Sequence, residues 1–342
     1  MKVALYYGPE TIKIEDRPIP EPGPGEIVIK NKIAFTCGTD VKTFFRGYPL
    51  WDPPYPFGHE AAGDIYAVGE GVEGFAIGDR VIAHNSAPCN RCYYCKKGQH
   101  SMCENLLFNL GAFSEYQLIP KEIVEQNTFK IPDGIDYKDA ALTEPFACAV
   151  HGIEEAGISL GDTVIINGAG PLGLMMTRLA YLKGARVITV DLSQKRLEMA
   201  KKLGASIVMN VRDIEDQVAA VRQFTEDNRG ADVAIEAVGS PELWEKTVRM
   251  VRKGGTSILF GGPKAGTTIT LDTNFMHYSQ ITIKGIFHTT PRFVQAAFNL
   301  ICQGVIHGND FVGSEYPLEK LEEAIRSHKE GRVIKNAIVF ED

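Results

Sequence analysis

The 342-residue chain has no apolar run long enough to span a bilayer, which argues against a membrane-embedded protein. Its opening residues, Met1-Lys2-Val3-Ala4-Leu5-Tyr6, lack the long apolar core of a secretory leader. Positive charge is short as well. The 36 Lys and Arg are outnumbered by 43 Asp and Glu, and a net charge of -7 argues against the basic surface that a phosphate backbone needs. We expect a cytoplasmic protein with no nucleic-acid partner and no membrane. Internal repeats and low-complexity tracts are missing too. So is an even cysteine count. Of seven cysteines, four crowd into fifteen residues, which in a cytosolic chain points to metal before disulfide.

The length suits two domains. Residues 1–35 read as short strands with turns. Thr11–Ile14 and Ile27–Lys30 read as strands around a Pro/Gly-rich bend at Pro18–Gly25. Glycines recur between short apolar pieces from Asp64 to Val81, Phe113–Leu118 alternates, and Ala140–Ala156 reads as a helix with Glu144 near its start. At Thr163 the texture changes. Strands are expected at Thr163–Asn167, Arg186–Val190, Ile207–Met209, Asp232–Glu236, Ser257–Phe260 and Ile281–Lys284, with helices ending at Lys183 and across Ser193–Leu203, 213–227 and 241–251. Six strands joined mostly by helical crossovers predict an α/β fold with a doubly wound, six-stranded parallel sheet. Helices at 292–303 and 317–329 and a strand at Asn336–Phe340 follow.

Gly168-Ala169-Gly170-Pro171-Leu172-Gly173 follows the first of those strands and opens a helix, and the next strand ends at Asp191, 23 residues after Gly168. In that setting a G-x-G-x-x-G run is a dinucleotide fingerprint. Gly168 allows a tight turn, Gly170 clears the approach of the pyrophosphate, and Gly173 lets helix and strand pack closely. The helix start supplies N–H groups and a favourable dipole. Asp191 would accept from the ribose hydroxyls and repel a 2′-phosphate. Leu192 follows, with no arginine beside the aspartate, so NAD is expected over NADP.

Cys89-x2-Cys92-x2-Cys95-x7-Cys103 is the most specific pattern in the chain. Four thiolates at this spacing can close a tetrahedral shell around zinc, and a closed shell is structural. Arg91, Lys96 and Lys97 would offset its negative charge. An iron–sulfur cluster or a redox switch is the other reading. Cys148 and Cys302 read as buried small residues, and His84, His100 and His151 as satisfied histidines.

Gly58-His59-Glu60-Ala61-Ala62-Gly63, running on to Gly69 and Val72, sets two metal-ligand types side by side, with glycines that let the backbone approach what they bind. Cys37 lies upstream and Glu144 downstream. Taken singly, each has an ordinary alternative: a small buried thiol, a loop histidine, a helix-start acid.

Together these motifs resemble the zinc-containing alcohol dehydrogenases of the medium-chain dehydrogenase/reductase superfamily, over essentially the whole chain. The Gly58-His59-Glu60-x2-Gly63-x5-Gly69-x2-Val72 run matches their signature, and Cys37-Gly38-Thr39-Asp40, the four-cysteine loop and Gly168–Gly173 fall where the family has them. Glu144-Pro145 and Lys284-Gly285-Ile286-Phe287 look like the sorbitol or polyol branch. The resemblance implies a mainly-β GroES-like catalytic domain (1–147 plus 289–342) around a Rossmann NAD domain (148–288). It implies two zincs per subunit, NAD, a small alcohol or polyol substrate, and a homodimer or homotetramer. Cys37, His59, Glu60 and Glu144 would serve the catalytic zinc, and Thr39 would relay the substrate proton. Asp40 would orient the histidine ligand. Lys335 would meet the cofactor pyrophosphate. Hydride would pass between the carbinol carbon and the nicotinamide. A threonine-type dehydrogenase and a non-catalytic NAD- and zinc-binding sensor are the alternatives. The chain departs from the pattern at Lys42, where many members carry histidine, and at His288, where sorbitol enzymes carry arginine. His288, Tyr48 and Trp51 are candidates for lining a substrate pocket.

Overall fold

Ile27, Val28, Ala34 and Phe35 are completely buried, so strand β1 (Ile27–Phe35) is covered on both faces. A strand of this kind sits inside a sheet. The computed structural model describes residues 1–48 and 50–341. After β1 the chain enters helix α1 (Gly38–Arg46), then β2 (Ala61–Val68) and β3 (Arg80–Ala83). Helix α1 does not follow from the strand-and-turn texture of this region. Cys37 and Asp40 start it as a capping box, and Gly47, at φ 76°, stops it. Helix α2 (Thr143–Glu155) follows the short helix Tyr137–Ala140, so the expected 140–156 helix is broken near Ala141.

The second stretch is β4 (Thr163–Asn167), α3 (Pro171–Leu182), β5 (Arg186–Asp191), α4 (Gln194–Lys202), β6 (Ile207–Asn210), β7 (Ala231–Glu236), α5 (Pro241–Met250), β8 (Val251–Leu259) and β9 (Thr282–Gly285). The sheet order is β6-β5-β4-β7-β8-β9, with every neighbouring pair parallel. Strand order reverses between β4 and β7, which leaves a crevice at the carboxyl ends of the strands. Ile165, Ile188, Val190 and Ala234 form part of the core beneath it. The expected 213–227 helix is shorter. Only Gln217–Arg222 is α-helical, and Asp227 and Asn228 take positive φ at 48° and 56°.

The chain then forms α6 (Pro291–Cys302), β10 (Val312–Pro317), α7 (Leu321–Lys329) and β11 (Lys335–Val339). Strand β11 inserts between β1 and β10 in a seven-stranded sheet whose path runs Thr128–Lys130, β3, β2, β1, β11, β10. Phe44 of α1, Leu321 and Ile325 of α7, Phe57 and Phe113 share one core cluster. Each such side chain contributes roughly 1.5–3 kcal/mol on burial. The chain divides into two compact units, Met1–Ala147 with Thr289–Asp342, and Cys148–His288. Among the described residues no helix is long and apolar enough to cross a membrane.

Candidate metal and dinucleotide sites

Cys37 is the N-cap of α1. Its Sγ accepts from Thr39 N at 3.4 Å, while Cys37 N donates to Asp40 Oδ2 at 2.8 Å. These bonds satisfy amides that a helix start leaves open, and they fix Cys37 and Asp40 together. The other oxygen of the buried Asp40, Oδ1, lies 3.1 Å from His59 Nδ1. This bond sets the ring so that Nε2 is the nitrogen available to a ligand. Burial opposes charge on His59, but Asp40 and Cys37 outweigh it and hold its pKa well above the ordinary value. The ligand atoms of Cys37, His59 and Glu60 lie within 4.8 Å of one another.

Glu60 is fully buried and meets Lys335, the first residue of β11, with Nζ 2.6 Å from Oε2 and 3.0 Å from Oε1. Lys335 is 1% exposed. Burial would lower its pKa, but Glu60, Cys37 and Glu144 raise it and keep it protonated. Lys335, expected at the cofactor pyrophosphate, is paired here with Glu60. Glu144, in the first turn of α2, is 6% exposed and accepts from Asn85 Nδ2 at 3.1 Å. Burial pushes its pKa up to about 7; His59 and Lys335 pull it down, and Glu60 and Asp40 push it further up. Sulfur, imidazole and carboxylate thus converge beside one buried lysine. That donor set fits zinc.

The signature glycines serve the fold rather than the metal. A Cβ at Gly63 would stand 2.1 Å from Lys30 O, and one at Gly69 would stand 1.9 Å from Gly23 O. At these two positions the approach the glycines allow is that of neighbouring backbone.

The four cysteines of the loop also lie with their Sγ atoms within 4.8 Å of one another, and none is in a disulfide. Cys103 Sγ accepts from Cys89 N at 3.3 Å and Asn105 N at 3.4 Å. The backbone N–H of Arg91, with that of Cys92, lowers Cys89 to about 6 against the pull of burial, whereas burial pushes Cys95 up to about 12. Backbone amides meet the sulfur, and Lys97 Nζ lies over the Tyr93 ring. Amide-lined sulfurs at this spacing fit a closed tetrahedral zinc site. Cys148 and Cys302 are both partly exposed, not buried as expected.

In the other unit, Gly168 takes φ 104°, and a Cβ at Gly173 would stand 1.8 Å from Gly168 O. A Cβ at Gly170 would meet nothing within 4 Å. The turn is therefore closed where helix meets strand and open where a phosphate would come. Gly170 is the N-cap of α3, Pro171 and Leu172 begin the helix, and no side chain caps it. Asp191 accepts from Ala169 N at 2.7 Å (Oδ2) and Ser193 N at 2.8 Å (Oδ1). This arrangement fits a dinucleotide.

Two family models match the chain: an alcohol dehydrogenase GroES-like domain over residues 23–133 and a zinc-binding dehydrogenase over residues 171–303. A sorbitol dehydrogenase of Bacillus subtilis is 34% identical over 338 residues, which cover 95% of this chain and 92% of that one. The chain belongs to the zinc-containing alcohol dehydrogenase family. An L-threonine 3-dehydrogenase of Pyrococcus horikoshii is also 34% identical, covering 98% of this chain and 97% of that one. Among solved structures, the alcohol dehydrogenase TADH of Thermus sp. ATN1 matches with TM-score 0.90 at 25% identity, covering 100% of both chains. The 2R,3R-butanediol dehydrogenase of Bacillus subtilis matches with TM-score 0.87 at 27% identity, covering 99% of both. Sorbitol dehydrogenases and probable xylulose reductases among the relatives place this alcohol dehydrogenase with the polyol branch.

One residue near the metal-ligand group of this dehydrogenase, and one local role, escape sequence reasoning. Asn85 on Glu144 has no motif to announce it. The three-residue spacing from Cys37 to Asp40 is a capping-box signal for α1 that residue types alone do not suggest. Tyr48 stacks on Trp51 with ring centroids 4.8 Å apart, and burial raises its pKa, with His59 and Cys37 close enough to act on it. Lys42 lies in α1, half-buried. His288 holds φ 58° and is bonded through its carbonyl oxygen to His151.

Proposed function

We propose that the chain is an NAD(H)-dependent, zinc-requiring dehydrogenase of secondary alcohols or polyols. The observation that carries this is the convergence of Cys37, His59 and Glu60 on one point, backed by Asp40, in a chain that also carries the open glycine turn with Asp191. Cys37, His59, Glu60 and Glu144 would hold the catalytic zinc, and Cys89, Cys92, Cys95 and Cys103 a structural one. Bound zinc supplies Lewis acidity, which makes a substrate hydroxyl acidic near neutral pH.

The chain's own residues do the rest. Asp40 fixes the tautomer and direction of His59. Burial pushes the Glu60 carboxyl up, and the paired Lys335 opposes that push. Thr39, next but one to Cys37, offers the hydroxyl that takes the substrate proton, and Lys42 lies one turn further along α1. Gly168, Gly170, Pro171, Leu172 and Gly173 would cradle the pyrophosphate, and Asp191 would select the ribose of NAD. We place Lys335 with Glu60 instead of with the cofactor. Free cysteines at metal spacing suit a reducing compartment, the cytoplasm. The edge strand β9, largely exposed, with Tyr278 74% and Phe287 46% exposed beside it, suits a homodimer joined through this sheet edge.

The test is a panel of secondary alcohols, sugar alcohols and L-threonine with NAD, read by absorbance of the reduced cofactor, alongside zinc analysis. Turnover of a sugar or secondary alcohol that is lost in Cys37→Ser, with NADH binding kept, is the expected result. Binding of zinc and NADH with no turnover on any member would favour a sensor.

A further inference from the structure

Asp191 ends β5, and in the parallel register its partner on β6 is Asn210. Val211 N donates to Asp191 O at 3.1 Å, so the chain leaving β6 runs past the same strand end. Arg212 comes next. Its backbone N–H donates to Asn210 Oδ1 at 3.0 Å, and its guanidinium Nη2 donates to the carbonyl of Leu192 at 3.1 Å. Asn210 Nδ2 reaches the same carbonyl at 3.4 Å. A guanidinium is therefore anchored on the residue that follows Asp191. No arginine neighbours the aspartate in sequence; 21 positions separate Arg212 from Asp191, and the β5–β6 pairing brings Arg212 to the carbonyl of Leu192. Leu192 is 54% exposed, so the anchor lies at the open rim. Among the described residues no carboxylate forms an ion pair with Arg212, and one backbone carbonyl uses only part of its donor fork.

We propose that Arg212 is a specificity-determining residue of the dinucleotide site, a receptor for a 2′-phosphate that Asp191 keeps silent. The proposal rests on the dinucleotide reading of the glycine turn. Each Asp191 oxygen already accepts one backbone N–H, and the remaining lone pairs suit ribose hydroxyls. Its charge repels a 2′-phosphate. Without that carboxylate, the guanidinium held at the Leu192 carbonyl is the cation left at this strand end, and such a fork matches phosphate oxygens in pairs. Acceptance of NADP should then need one substitution, not the installation of a new cation.

The probes are adenosine 2′,5′-bisphosphate and 5′-AMP, titrated by calorimetry into the wild type, Asp191→Ala, Arg212→Gln and the double variant, with NADH as a reference. Asp191→Ala should gain affinity for the bisphosphate by roughly tenfold or more, the scale of one charge-assisted hydrogen bond, and the double variant should lose that gain. Asp191→Asn, which keeps an acceptor for Ala169 N or Ser193 N, repeats the test if the alanine variant does not fold. A gain that survives Arg212→Gln would overturn the proposal and move attention to Arg196 in α4. No gain in either Asp191 variant, with NADH still bound, also overturns it. A wild type that binds neither NADH nor 5′-AMP overturns the dinucleotide reading itself.

Discussion

Asp40 divides its carboxylate between two tasks: Oδ2 accepts from the backbone of Cys37, and Oδ1 lies 3.1 Å from His59 Nδ1. Substitutions separate them. Asp40→Asn keeps an acceptor for the cap but removes the charge beside His59. We expect zinc affinity at this site to fall by roughly 10–100-fold while the fold is kept. Asp40→Ala loses the cap as well and should cost a further 0.5–2 kcal/mol or so. Chelator competition and urea unfolding, measured on both variants, check this. Equal zinc affinity in Asp40→Asn and the wild type would remove Asp40 from its orienting role.

Lys335 and Glu60 are 1% and 0% exposed, so neither charge can be left alone. Lys335→Met in the metal-free protein should destabilise by about 3–5 kcal/mol, because it strands a buried carboxylate. Adding Glu60→Leu should recover much of that loss. A double variant no more stable than Lys335→Met would mean that the cost comes from packing, not from charge.

The glycine turn offers a matched pair. Gly173→Ala puts a methyl 1.8 Å from a backbone oxygen and should destabilise by about 1–3 kcal/mol. Gly170→Ala meets nothing within 4 Å, at φ -67°, and should cost about 1 kcal/mol at most. It should nonetheless weaken NADH binding by roughly tenfold or more, since its methyl stands where the pyrophosphate approaches. Thermal melts and NADH fluorescence give both readouts. Unchanged NADH binding in Gly170→Ala would place the cofactor elsewhere.

These contrasts also mark what the sequence can carry. The strand, turn and helix around Gly168 are local, and the six strands need only short windows, so apolar runs and spacing are enough to find them. The four cysteines are equally local. Lys335 and Glu60 are 275 positions apart and meet because β11 enters the sheet beside β1. Arg212 reaches Leu192 only through strand register, and Asn85 reaches Glu144 across 59 positions. No periodicity encodes such meetings. They are products of topology.

His151 gives a pH dependence. Burial lowers its pKa, partly countered by the bond of its Nδ1 to the His288 carbonyl at 2.8 Å and by Glu155. A folded-state value below the unfolded one, about 6.5, means the contribution is full above that pH. It is lost as pH falls through the lowered value. Urea midpoints between neutral pH and about pH 5 should therefore decline, and His151→Gln should flatten this part of the decline. An identical slope in the variant would assign the acid sensitivity to other groups.

Strand β11 holds Lys335, lies between β1 and β10, and is made after all the other described strands. During synthesis the six strands β4–β9 emerge complete before it. The N-terminal sheet, already translated with Cys37, His59 and Glu60, still lacks an inner strand and the cation that balances Glu60 at that point. Order of birth and order of completion are thus reversed in this unit. The ligands arrive early, and the chamber around them closes only once β11 has been made, so a chain cut short before Lys335 would carry Cys37, His59, Glu60 and Glu144 and have no finished place to keep a metal.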